Sequence, residues 1–203
     1  MNKMIYPVVL GVFFLAACGG GDGVKQAEKI VPEPTKALTS KNSPAFNQSF
    51  EKMLSAYDQL KTALVDYDTS AANTAASLLA TASDSLAIDE ITGDSTGAVK
   101  ATAASYAASV STASKALIAA GELEKKKRQF QILSDAFYDL TRTVRYDRQK
   151  IYRQHCPMAF NDEESAYWLS TSSEIVNPYL GKRHPKYKDG MLHCGDLADS
   201  TNY

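Results

Sequence analysis

A chain of 203 residues, 44% hydrophobic and 22% charged, can bury a sizeable core in one domain of about 150 residues. Its 22 basic and 23 acidic residues leave a formal net charge of −1. No global field exists to gather nucleic acid or an anionic membrane, and nucleic acid is excluded as a partner on that ground.

At the N-terminus, Lys3 precedes an apolar run over 4–17, shorter than the roughly 20 residues a bilayer-spanning helix needs. The run ends in Leu15-Ala16-Ala17-Cys18, followed by Gly19-Gly20-Gly21-Asp22-Gly23. Small residues before a cysteine and glycines after it resemble the lipobox of bacterial lipoproteins. The resemblance implies a signal peptide over 1–17 and lipid on Cys18 that anchors the protein in the cell envelope, on the periplasmic side or at the outer membrane. A soluble signal peptide with a chance cysteine is the competing reading. Export places Cys156 and Cys194 in an oxidising compartment. Residues 18–42 form a tether, with Pro32 and Pro34 and no apolar periodicity.

The domain spans 43–203. Ser43-Pro44 supplies an N-cap and a proline at the first helical position. Phe46, Phe50, Met53, Leu54, Tyr57, Leu60 and Leu64 then recur at helical spacing, predicting a first helix over 44–66. An Ala-rich second helix is predicted over 70–87, with Ala75, Leu79, Ala82 and Leu86 at heptad spacing. A loop follows over 88–97, and Val99, Ala103, Tyr106, Val110, Ala113 and Leu117 mark the third helix. Its stripe does not continue in phase into Leu123, Phe130, Leu133, Phe137, Leu140 and Val144, so a fourth helix begins, with Gly121 placed to terminate the third. Lys125-Lys126-Lys127-Arg128 reads as a solvated face, with an acidic partner or phospholipid headgroups as the alternative. The expected fold is mainly α: an up-down-up-down four-helix bundle over 44–146 with a small C-terminal β/loop cap. A pair of long hairpins completing their core against a partner is the runner-up.

The C-terminal module over 147–197 holds short extended pieces at 150–155, 166–170 and 187–193. Trp168 and Tyr179 are expected to plug one end of the bundle, and Asp162-Glu163-Glu164 to be a solvated loop. The two ends of the module each offer one Cys, one Met and one His: His155, Cys156 and Met158 on one side, Met191, His193 and Cys194 on the other. Soft thiolate and thioether ligands select Cu(I), with imidazole an acceptable addition. In an extended strand Met158 would share a face with Cys156. His184 lies in the connection, where exposure is expected. The same cysteines also suit a disulfide, whose closure of about 38 residues stabilises a fold by roughly 4 kcal/mol in the loop-entropy picture. A redox-active pair is the third reading. Zinc is disfavoured, because the close Cys-x-x-Cys spacing of common structural sites is missing. No phosphate loop, Gly-x-Ser-x-Gly elbow or His-Glu-x-x-His is present, so the chain is not expected to be an enzyme.

The series Cys156-Pro157-Met158-Ala159, Tyr167-Trp168-Leu169-Ser170, Glu174-Ile175, Asn177-Pro178-Tyr179, Gly181, Met191-Leu192 and Cys194-Gly195 resembles a bacterial domain of unknown function found in exported lipoproteins, many from Bacteroidetes. Phe130, Leu133-Ser134 and Phe137-Tyr138 agree with it too. The same domain is attached to periplasmic adaptor subunits of copper and silver efflux pumps. The run 182–189 departs from it, being longer than the Gly-to-Met-Leu connection of many members. The resemblance implies an association with heavy-metal handling, with an efflux adaptor as possible partner. Two functions therefore stand: an envelope lipoprotein that binds Cu(I) or a similar soft ion and buffers it or passes it on, and a non-catalytic, disulfide-stapled module that docks to an envelope partner.

Overall fold

A computed structural model describes residues 41–201 and 203 of the chain. The expected signal peptide, Cys18 and the expected tether up to residue 40 lie outside them. Four helices come first: α1 (Pro44–Val65), α2 (Thr69–Asp84), α3 (Ala98–Ala119) and α4 (Leu123–Thr143). A 3-10 turn at Ile88–Glu90 interrupts the connection between α2 and α3. A three-stranded antiparallel sheet follows, β1 (Ile151–Phe160), β2 (Glu164–Ser170) and β3 (Asp196–Thr201), in the order β2-β1-β3. The chain is thus mainly helical, with a small C-terminal sheet. Lys41 and Asn42 are tied to the fold, the first donating its N–H to Asp147 and the second its amide to the Val144 carbonyl.

The helices begin where the caps dictate. Ser43 Oγ accepts the Phe46 N–H at 3.1 Å, and Asp68 accepts that of Ala71 at 2.9 Å to start α2. All seven residues of the predicted α1 stripe are buried, as are Ala103, Val110, Ala113 and Leu117 of α3. α2 ends three residues before the predicted limit, where Ser85 and Leu86 bond back to Thr81 and Ser83 in a closing turn. The break before α4 differs from the expectation. Ala120 turns extended, at φ −69° and ψ 120°, and Gly121 does not adopt the left-handed conformation.

Packing follows side-chain size. Ala72, Ala75 and Ala76 of α2 and Ala103 and Ala107 of α3 are buried, and small residues allow these helices to approach closely. α1 meets α4 through rings instead: Tyr57 lies 5.3 Å from Phe130 and 5.4 Å from Phe137, and Phe50 lies 5.4 Å from Phe137, centroid to centroid. The Tyr57 phenol also accepts the Leu169 N–H of β2 at 2.9 Å and lies 2.7 Å from Ser134 Oγ of α4.

The sheet lies along α4. Arg128, Asp135 and Tyr138 of α4 hold Glu164 of β2, Arg153 of β1 and Asp199 of β3 in turn. Trp168 and Tyr179 are both fully buried; Tyr179 packs with Phe130, Phe160 and Trp168, and the residues after it meet the C-terminal end of α1 at Val65 and Tyr67. The strands also differ from the prediction. β1 and β2 are longer than expected, and 187–193 is a succession of turns, with Gly190, Leu192 and Cys194 each bonding three residues back. Local turn bonds consume the backbone groups there, so the third strand forms only after Gly195.

The basic run is not a solvated face. Lys126 and Lys127 are buried, and each of the four cations has its own partner. Lys126 Nζ donates to Asn73 Oδ1 at 2.7 Å and to the Leu117 carbonyl at 2.8 Å, close to the C-terminus of α3. Lys127 Nζ reaches Glu124 at 2.8 Å and the Tyr67 hydroxyl at 3.0 Å. Arg128 forks onto Glu164 and lies over the Phe160 ring, while Lys125 pairs with Glu122 on the surface. Asp162, Glu163 and Glu164 are exposed, as expected, with Glu164 paired to Arg128 and Asp162 to Lys186 and Tyr187 on the surface.

Two expectations follow. Tyr57→Phe orphans the buried Leu169 N–H and should cost about 1–3 kcal/mol, read as a lowered urea midpoint. Burial holds the Lys126 and Lys127 ammonium groups below the ordinary lysine value of 10.5, with Glu124 partly opposing it at Lys127. The unfolded chain therefore binds more protons than the folded one in the interval below about 10.5, and stability contributed by these groups rises with pH across it. Lys127→Met should flatten that rise in urea midpoints measured from about pH 7 to about pH 10.

Candidate functional site

Cys156 sits on the central strand, opposite Ala166 of β2, and is fully buried. Cys194 ends the crossover that connects β2 to β3 and is half-buried. Both are free thiols. The crossover returns Cys194 to β1: Gly195 packs on the His155 carbonyl and Asp196 pairs with His155, next to Cys156 in the chain. Burial pushes the Cys156 thiol up; the Met158 backbone N–H and the Asn177 side chain, both directed at the sulfur, oppose it, and the Cys194 thiol adds to the rise.

Three features bend the crossover into this path. Asn177 is fully buried, with its side-chain oxygen accepting the N–H groups of Tyr179 and Leu180 and its amide donating to the Cys194 carbonyl at 2.7 Å. Gly181 has φ +53°, and a Cβ there would lie 2.5 Å from the Tyr67 ring and 2.7 Å from the Val65 carbonyl. Gly195 has φ +143°, and its Cβ would lie 2.5 Å from the His155 carbonyl and 3.1 Å from the Trp168 ring. Gln154 of β1 fixes the start of the crossover by donating to the Ser172 and Glu174 carbonyls.

The other predicted ligands fare differently. Met158 lies in the irregular part of β1 between Cys156 and Phe160, and Met191 opens the turn that ends at Cys194; both are half-buried against the core. His155 occupies the alternate face of β1 from Cys156. Its ring lies 4.8 Å from that of Tyr167 and its Nδ1 3.4 Å from Asp196. His193 is exposed, with Nδ1 at 2.7 Å from the Ile175 carbonyl. His184, expected to be exposed, is half-buried against the Tyr187 ring. Among the described residues, no group of three or more His, Cys, Asp or Glu side chains converges so as to hold a metal ion. The structure thus brings the two cysteines together and leaves the histidines apart from them. Sequence reasoning missed the linking role of Asn177, whose only local signal was the turn-forming Asn-Pro dipeptide.

Asn177→Ala should lower stability by about 2–4 kcal/mol, since it orphans two buried N–H groups and a carbonyl. Asn177→Asp, which keeps the acceptor oxygen, should recover part of the loss in the same urea titration.

No curated protein and no solved structure matches this chain. The residues that match a family model run from the second half of α1 to the connection before β1, and so include Phe130, Phe137 and Tyr138 but neither cysteine. This stretch, 53–149, matches the family described as Protein of unknown function (DUF3347), a domain of unknown function.

Proposed function

We propose that the protein is an envelope lipoprotein, anchored by lipid on Cys18, that binds a soft metal ion such as Cu(I) between Cys156 and Cys194 and buffers it or hands it to an efflux adaptor. One observation carries the reading: the crossover brings the free thiol of Cys194 back beside the strand that holds the free thiol of Cys156, where Gly195 and Asp196 meet His155. A pair of thiolates is a sufficient donor set for a soft ion of low coordination number, whereas structural zinc takes four ligands. The thioethers of Met158 and Met191 flank the cysteines in sequence and match that preference. Asn177 and Met158 contribute N–H groups toward Cys156, which favour the thiolate that such an ion requires. His155 and His193, engaged elsewhere, are left out of the donor set.

In this proposal the four helices form an up-down-up-down bundle that serves as the platform. Consecutive helices pack on one another, the connections 66–68 and 120–122 are short, and the rings between α1 and α4 close the circuit.

The same return of Cys194 to the strand of Cys156 favours a second reading, a non-catalytic module stapled by a Cys156–Cys194 disulfide and docked to an envelope partner. Cu(I) titration of the reduced full chain carrying Cys18→Ser separates the two. The metal reading expects about one ion per chain, and Cys156→Ser or Cys194→Ser should abolish the uptake. Unchanged uptake in either variant would sink it. Protein isolated two hydrogens light that takes up no Cu(I) even after reduction would establish the second.

A further inference from the structure

We propose that Cys156 and Cys194 form an ordered thiol–disulfide exchange couple, in which Cys194 is the entering thiol and Cys156 the resolving one. The inference rests on the return of Cys194 to the strand of Cys156, which both readings of the function share, and not on metal binding.

The order follows from burial and from the path of the chain. Cys156 is fully buried on the central strand, behind the crossover, and no external disulfide reaches its sulfur without local opening. Cys194 is half-buried, at the last turn of the crossover, so it is the more accessible of the two thiols and lies beside the strand that carries Cys156. Its backbone is held on both flanks. Asn177 binds its carbonyl, its own N–H bonds to the Met191 carbonyl, and Gly195 is packed against the His155 carbonyl and the Trp168 ring. A mixed disulfide on Cys194 therefore stays in register with the resolving thiol.

The co-reactant is a disulfide, either of low molecular weight or on a protein. Cys194, as thiolate, attacks one of its sulfurs; the sulfur–sulfur bond breaks, and the first thiolate leaves and takes up a proton. Cys156 then gives up its proton and attacks Cys194 Sγ. The mixed disulfide breaks, and the second thiolate leaves and is protonated in turn. The two cysteines are oxidised together, the external disulfide is reduced to two thiols, and the two cysteine protons end on the products. The closed form joins the central strand to the crossover and removes both thiolates from any soft ion.

The test uses the reduced full chain carrying Cys18→Ser, exposed to excess glutathione disulfide, quenched in acid at intervals and mapped by peptide mass. Expected is a transient glutathione adduct on Cys194 alone, ending in an adduct-free Cys156–Cys194 disulfide. Cys156→Ser should accumulate a stable adduct on Cys194, while in Cys194→Ser the remaining thiol should react at least about tenfold more slowly. A first adduct on Cys156, equal rates in the two variants, adducts retained on both cysteines, or no reaction at all would overturn the proposal. The order in the unsubstituted pair is read without either variant, so a variant that fails to fold does not remove the test. Cu(I) uptake by the reduced protein is a separate readout, so either idea can fail alone.

Discussion

The hydroxyl of Tyr57 is the junction on which the arrangement of helices and sheet depends. It is fully buried midway along α1, between α4 and β2. The directions of its bonds are fixed by its neighbours. Ser134 Oγ donates to the Phe130 carbonyl, so the phenol donates to Ser134 and accepts the Leu169 N–H. β2 is an edge strand, and a buried edge N–H without a partner is costly. A helix supplies that partner with one oxygen atom. Burial raises the phenol far above the ordinary tyrosine value and so favours the protonated, donating form. From this point the rest follows: β2 against α1 fixes β1 over α4, and β1 carries Cys156.

Buried charge performs the same service at the start of α4. An ammonium group removed from water must find several oxygen partners or lose its proton. Lys126 finds them at the Leu117 and Ile118 carbonyls in the last turn of α3, at the negative end of that helix, and thereby binds α4 to the helix it follows. Lys127 instead reaches Tyr67, whose hydroxyl donates to the Leu180 carbonyl and whose ring lies where a Gly181 side chain would be. The helices and the crossover are thus connected through one ammonium and one phenol.

What was legible in the sequence follows the range of the forces involved. The α1 stripe, the Ser43 cap and the phase slip between α3 and α4 are local, and periodicity exposed them. The burial of Lys126 and Lys127 was not legible, because their partners lie on three different segments and a run of four cations looks solvated by composition alone. β3 was invisible for a related reason: Asp196-Leu197-Ala198-Asp199 has little strand character and is held by pairing with β1. The apparent symmetry of the two Cys-Met-His ends misled in one respect that strand geometry explains. A residue adjacent to Cys156 on a strand points to the other face, which sends His155 toward Tyr167 and Asp196 and away from the sulfur.

The two sulfurs are therefore alike in chemistry and unlike in position, and that difference decides what the pair can do. A structural disulfide needs only that its two cysteines meet. A metal site needs that both sulfurs become thiolates, and the amide of Asn177 and the N–H of Met158 favour that state at the buried one, where desolvation opposes it most. Exchange with an outside disulfide needs one sulfur that is reached and one that is not, which is the arrangement a central strand and a crossover turn produce. Asn177 serves all three, because the residue that directs an N–H at Cys156 also holds the carbonyl of Cys194. The position of the half-buried sulfur relative to the buried one is set by that single carboxamide and by a glycine that tolerates φ +143° against the backbone of β1.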